Sequence, residues 1–235
     1  MDAAPSRSIG DNVRNVSERL HRAALGAGRR VDSVRLVAAT KSVSVEAIRE
    51  GLAAGLNILG ESRLQEALPK IEALRGESVH WHFIGRLQRR KVRSVVGLFD
   101  LIHSVDSLEL AQEIDRRAEQ SGHRQAVLLE VNIADEATKA GFRPGELIAL
   151  LPELSRLSHM VVKGLMTIPP PTMDAEGARP YFRRLREMAR RLGQGVPGLS
   201  MDELSMGMSN DYVVAVEEGA TLVRVGTAIF GTRRD

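Results

Sequence analysis

Ser205-Met206-Gly207-Met208-Ser209-Asn210-Asp211 and Thr221-Leu222-Val223-Arg224-Val225-Gly226-Thr227-Ala228-Ile229-Phe230-Gly231 each carry a short apolar run into a turn of small residues. Such turns expose backbone N–H groups, and two of them meeting around one phosphate form an anion nest. In an alternating strand over 222–225, Arg224 points away from Val223 and Val225, which sets a cation beside Gly226-Thr227 for the rest of the same ligand. Far upstream, Val37-Ala38-Ala39-Thr40-Lys41 places a lone lysine at the end of another apolar strand. Phosphate nest, arginine and strand-end lysine together point to a phosphorylated aldehyde held as a Schiff base.

Each residue alone has a plainer reading. Lys41, followed by Ser42-Val43-Ser44, is an ordinary solvated loop lysine unless a barrel rim partly desolvates it and favours its neutral amine. Ser209 or Asn210 is an N-cap for the helix that follows, and Gly226-Thr227 is a tight turn that serves packing. Arg224, inside an apolar strand, needs a ligand or a structural carboxylate such as Glu61 or Glu130. Two such turns after successive strands reverse the judgement, because the loops after the seventh and eighth strands of a barrel form its usual phosphate site. His80 and His82 flank Trp81 as barrel-interior hydrogen-bonding groups rather than metal ligands, Glu61 and Glu66 suit acid/base work and a helix N-terminus equally well, and Lys139 reads as a solvated lysine, with an anion site or a secondary amine as the alternative.

The elements that must position these residues alternate along the chain. Ile9, Val13, Val16 and Leu20 predict a leading amphipathic helix that ends near Gly26 or Gly28. Strands are expected at 34–39, 56–59, 80–84, 99–103, 126–132, 161–166, 202–206 and 222–225. Helices are expected near 44–54, 62–74, 87–96, 107–121, 145–157, 175–192 and 210–218. Eight strands with intervening helices predict a single (β/α)₈ TIM-like barrel domain over residues 1–235, with an extra N-terminal helix. An open doubly wound sheet is the competitor, but Gly-x-Gly-x-x-Gly is missing after the first strand.

Composition agrees. Of 235 residues 43% are hydrophobic and only 3% aromatic, as stacked layers of branched side chains require. Cysteine is absent, which removes disulfides and thiolate chemistry. With 33 basic and 30 acidic residues the net charge is +3, and the arginine pairs, including Arg233-Arg234, are scattered without interleaved aromatics, so nucleic acid is not an expected partner. No signal-peptide core or span of about 18 apolar residues is seen, and a cytoplasmic protein without membrane contact is the expectation.

Seven ordered segments together resemble the pyridoxal phosphate homeostasis protein family, also called proline synthetase co-transcribed homologue proteins. They are Val37 to Lys41, Gly60-Glu61-Ser62, His82-Phe83-Ile84-Gly85-Arg86-Leu87-Gln88, His103-Ser104-Val105-Asp106-Ser107, Gly164-Leu165-Met166-Thr167-Ile168-Pro169, Leu204 to Ser209, and Arg224 to Gly231. The resemblance implies a fold like the alanine racemase N-terminal domain, with pyridoxal 5'-phosphate joined to Lys41. It also implies phosphate contacts from Ser209, Gly226 and Thr227, and Arg224 near the pyridine nitrogen. Ser62 stands where Asn commonly follows Gly-Glu, and Arg90 where Asn commonly follows Leu-Gln-x, so no ligand contact is carried over to either.

Alanine racemase-like enzymes add a β-rich domain with an opposing tyrosine base, whereas this chain runs only four residues past Gly231 and holds only Tyr181 and Tyr212, both on predicted helices. The expectation is a monomeric cofactor-holding protein without substantial turnover, which serves intracellular cofactor homeostasis and supplies apo forms of pyridoxal phosphate enzymes. The alternative is a small pyridoxal phosphate-dependent amino-acid racemase.

Overall fold

The computed structural model describes residues 8–194 and 199–231. Helix α1 (Ile9–Gly26) forms where the apolar spacing predicts it and buries Val13, Val16 and Leu20. Ser8 caps it through a reciprocal pair with Asp11, which satisfies two N–H groups that the first turn leaves unpaired.

Eight strands follow: β1 (Arg35–Ala39), β2 (Ile58–Glu61), β3 (His80–Phe83), β4 (Leu101–Val105), β5 (Gln125–Glu130), β6 (Met160–Met166), β7 (Glu203–Ser205) and β8 (Leu222–Val225). All pair in parallel in chain order, and β8 pairs back onto β1 with Val37 opposite Arg224. That closure makes the predicted (β/α)₈ barrel and rules out the open sheet. The intervening helices are α2 (Val45–Ala53), α3 (Leu64–Ala73), α4 (Leu108–Gln120), α5 (Pro144–Leu154), α6 (Arg179–Leu192) and α7 (Tyr212–Glu217), with the short α8 (Thr227–Phe230) after β8. No helix among the described residues is long and apolar enough to cross a membrane.

Several boundaries differ from the sequence reading for identifiable reasons. β2 and β4 start two residues later than expected, because Leu56 and Phe99 are buried on the approach to each strand and extend the apolar run backwards. The 87–96 segment is not an α-helix but 3₁₀ turns over Arg89–Ser94, where Val92 is the one buried side chain and no apolar stripe exists to dock. The helix expected over 175–192 opens with a 3₁₀ turn at Glu176–Ala178 before α6. Arg233-Arg234 lies outside the described residues.

Strand alternation separates two cores. Val37, Ile58, Leu101, Leu128, Met166 and Leu222 form one cluster, the floor of the barrel lumen. Ala38, Leu59, Ile102, Val127, Val223 and Val225 belong to the other, which joins the sheet to helix residues such as Ile48, Leu110 and Phe182. His82, His103, Ser205 and Arg224 have lumen parity, so the polar residues gather above that floor toward the strands' C-terminal ends. The N-terminal segment braces the last elements from outside: Asn12 of α1 donates to the Ile229 carbonyl at 2.9 Å, and Arg29, just beyond α1, donates to the Val216 and Ala220 carbonyls before β8 at 2.7 and 2.9 Å.

Between β5 and β6 the register skips Lys163, so that Leu128 pairs with Gly164. A Cβ at Gly164 would lie 1.9 Å from the Glu203 carbonyl oxygen of β7. Gly164→Ala is therefore expected to push β6 from β7 and destabilise the barrel by ~3 kcal/mol or more. Denaturant unfolding checks this; an unchanged midpoint would mean that the sheet yields there at no cost.

Candidate functional site

Arg224 leads to the site. It is 5% exposed, and its guanidinium donates through Nη2 to the Thr167 carbonyl at 3.0 Å and through Nη1 to Ser205 Oγ. The ion pair to Glu61 or Glu130 that a purely structural arginine would make is not formed. Glu61 is engaged elsewhere, and Glu130 and Asp211 act on Arg224 only by charge at longer range. Burial pushes the guanidinium down to about 10, so it stays charged at neutral pH.

A buried histidine pair extends this network. His103 Nδ1 is 2.9 Å from Ser205 Oγ, and His103 Nε2 is 3.0 Å from His82 Nδ1. Ser205 Oγ accepts from Arg224, and its proton is available to His103 Nδ1, with His103 Nε2 in turn facing His82 Nδ1. Every contact is satisfied with both rings neutral. That agrees with burial, which pushes His82 down to about 3 and His103 well below its ordinary range. The expectation of interior hydrogen bonding therefore holds for His82, whereas His80 is exposed at the start of β3. Among the described residues no group of three or more His, Asp or Glu side chains is placed to hold a metal ion.

The turns after β7 and β8 do meet. Ser209 Oγ accepts from the N–H groups of Gly226 and Ala228 at 3.3 and 3.4 Å, so it serves the start of α8 rather than α7. The N-cap reading for Ser209 or Asn210 is corrected: α7 begins at Tyr212, and Asp211 instead accepts from Met208 N at 2.6 Å. Ala228 joins the turn, a residue that the sequence reading did not single out, while Thr227 is exposed. Gly226 lies close over β1, where a Cβ would stand 3.2 Å from the Ala39 carbonyl. Lys41, two residues past the end of β1, thus shares the rim with the nest. It is solvent-exposed, not partly desolvated, because only the short turn between β1 and α2 surrounds it.

Other residues singled out from the sequence separate from the site. Glu61 is neither an acid/base group at the rim nor a helix N-terminal charge; it is fully buried, 2.7 Å from Lys70 Nζ. Lys139 is paired to Glu136 at 2.7 Å rather than freely solvated. Arg90 is exposed and donates to its neighbour Gln88, and Ser62 presents its backbone to Gly85. Tyr212 packs beneath Arg19 of α1 and Tyr181 against the outer core, so neither faces the lumen. Sequence reasoning missed Lys70, although its place on the apolar face with Leu64 and Ala67 was a visible signal. Ser205, Thr167 and His103 lie inside the quoted motifs but carry no role of their own until the barrel closes and brings them to Arg224 and to one another.

The family model for the alanine racemase N-terminal domain matches residues 9–234. The pyridoxal phosphate homeostasis protein of Aquifex aeolicus is 46% identical over 224 residues, covering 95% of this chain and 98% of that protein. The protein of the same description from Escherichia coli is 35% identical, over 96% and 97%. Among solved structures, PipY of Synechococcus elongatus with pyridoxal phosphate bound superposes with a TM-score of 0.81 at 42% identity, covering 92% of this chain and all of that one. An alanine racemase of Clostridium difficile superposes with a TM-score of 0.72 at 17% identity, over 96% of this chain and 58% of that one, a likeness of fold alone.

Burial, reinforced by Asp106, pushes the Glu130 carboxyl up from 4.5 to about 7, while Arg224 and Arg86 oppose the shift. A raised carboxyl binds its proton more tightly in the folded chain, so its stabilisation is full below pH 4.5 and is lost as pH rises through about 7. Unfolding free energies of the wild type should fall by ~3 kcal/mol relative to Glu130→Gln between pH 4 and 8. Parallel pH profiles for the two proteins would show that Glu130 titrates normally.

Proposed function

The chain belongs to the pyridoxal phosphate homeostasis protein family, and on that premise we propose that it holds pyridoxal 5'-phosphate at the barrel rim as a Schiff base on Lys41, without substantial turnover. The observation that carries this reading is Arg224: a buried cation with no carboxylate ion pair among the described residues, beneath a nest of N–H groups and a rim lysine. PipY, at 42% identity, holds this cofactor.

The residues present fit the group. The N–H groups of Gly226 and Ala228 converge on Ser209 Oγ, and a phosphate at this turn would take that place as acceptor, with the Ser209 hydroxyl and the backbone at Thr227 as further donors. When bound, the cofactor supplies an aldehyde and an aromatic ring that can draw electrons from an attached amine. Lys41 adds its amine to the aldehyde carbon, and water leaves as the C=N bond forms. Arg224 is a permanent cation, so its approach to a pyridine nitrogen disfavours protonation there and weakens the ring as an electron sink.

Two-sided proton transfer at a substrate carbon needs a second base opposite Lys41. Both tyrosines of the chain sit outside the lumen, which supports a holding role over racemisation. In this reading the protein acts as a monomeric barrel domain in the cytoplasm and passes cofactor to apo forms of pyridoxal phosphate enzymes.

Borohydride reduction of the cofactor-loaded protein, followed by peptide mass mapping, tests the assignment. A pyridoxyl adduct is expected on the Lys41 peptide and is expected to disappear in Lys41→Ala; an adduct on Lys139 alone would overturn it. Ser209→Ala should weaken cofactor binding about tenfold, the worth of one hydrogen bond to a charged group. Deuterium uptake at the Cα of added amino acids should be negligible, and sustained uptake would establish the racemase instead.

A further inference from the structure

We infer that Lys70 and Glu66, four residues apart on one face of α3, are positioning residues that clamp the backbone on either side of Lys41; their role toward cofactor rests on the reading of Lys41 given above. Lys70 is the anomaly that leads there. A lysine on the inner face of a helix, 8% exposed, sits where an apolar side chain would ordinarily pack. Its ammonium donates to Glu61 Oε1 at 2.7 Å and to the Thr40 carbonyl at 2.6 Å. Glu61 Oε1 also accepts from Thr40 Oγ1 at 2.7 Å, and the Thr40 N–H donates to the Gly60 carbonyl at 3.0 Å. The residue before Lys41 is thus held at its N–H, its hydroxyl and its carbonyl.

The residue after it is held as well. Ser42 has φ of +59°, in the left-handed region that a side-chain-bearing residue avoids. Its N–H donates to Glu66 Oε2 at 3.0 Å, and Val43 N–H closes the turn onto the Thr40 carbonyl at 3.0 Å. Lys41 and Ser42 are the two central residues of that turn. A type II turn would place glycine at the second of them, so serine there requires outside restraint.

α3 supplies that restraint with two opposite charges, an ammonium on the carbonyl before Lys41 and a carboxylate on the amide after it. A buried ion pair by itself stabilises a fold little compared with apolar packing. The Lys70–Glu61 pair is explained by the carbonyl and hydroxyl that it fixes. The clamp leaves the Lys41 side chain free at the rim while its backbone is fixed, the condition under which an amine meets an aldehyde held by a separate phosphate nest.

Lys70→Met and Glu66→Ala test the clamp with three readouts. Amide hydrogen exchange at Ser42 and Val43 in the cofactor-free protein should rise at least tenfold in each variant. The formation constant of the Lys41 adduct with pyridoxal 5'-phosphate should fall about tenfold. Binding of pyridoxine 5'-phosphate, which has the phosphate and ring but no aldehyde, should stay within twofold. Adding Ser42→Gly to Lys70→Met should restore part of the adduct, because glycine holds the positive φ without restraint. Unchanged exchange and adduct in Glu66→Ala, or equal losses of adduct and of pyridoxine 5'-phosphate binding, would overturn the inference. If Lys70→Met does not fold, Glu66→Ala, at a partly exposed position, carries the test. Failure of the wild-type protein to form a Lys41 adduct would sink the functional reading, whereas the exchange experiment still decides the clamp.

Discussion

Placing a guanidinium inside a closed barrel imposes a demand that its neighbours must meet. Arg224 is on the lumen side of β8 because Val223 and Val225 alternate with it to face the helices. Once there, it cannot be left unbonded, since desolvating a cation costs far more than desolvating an amide. β6 answers with the Thr167 carbonyl at its end, and β7 with Ser205. Ser205 in turn links the guanidinium to His103 and, through it, to His82 on β4 and β3. Five strands or strand ends are thereby tied to one positive charge, and the lumen above the apolar floor is polar as a consequence.

The same charge shapes its surroundings electrically. Two neutral imidazoles lie on one side, where burial beside cations holds them unprotonated. Glu130, on β5, has a proton affinity close to neutral pH, lifted by burial and Asp106 and restrained by Arg224 and Arg86. Since no carboxylate among the described residues neutralises Arg224 through a direct ion pair, its field remains available to a ligand at the rim. An anion that enters the nest at Ser209, Gly226 and Ala228 would meet it from above.

The rim itself is built from turns whose geometry is imposed from outside. The β8 turn is braced by α1, through Asn12 on the Ile229 carbonyl. The β1 turn is braced by α3, through Lys70 and Glu66. In both cases a helix distant in sequence donates to or accepts from backbone groups next to the residue of interest. Loops that carry function on a rigid scaffold commonly depend on such supports.

Alternating strand and helix patterns, the two small-residue turns, the strand-end Lys41 and the parity of Arg224 were all legible in the residue order, because periodicity and turn chemistry act over a few neighbours. They determined the barrel and the family, and they set Lys41, Ser209 and Gly226 at one end of that barrel. The strand starts at Ile58 and Leu101, and the 3₁₀ turns at Arg89–Ser94, were not legible, because burial on the approach to a strand and the lack of a docking stripe are settled by packing. Only the tertiary structure decided that Ser209 serves α8, that Glu61 belongs to Lys70 and not Arg224, and that Ser205, Thr167 and His103 satisfy the buried guanidinium. Those pairings join residues 9 to 102 positions apart, and no local pattern encodes which of several chemically adequate partners closure of the barrel will bring within hydrogen-bonding distance.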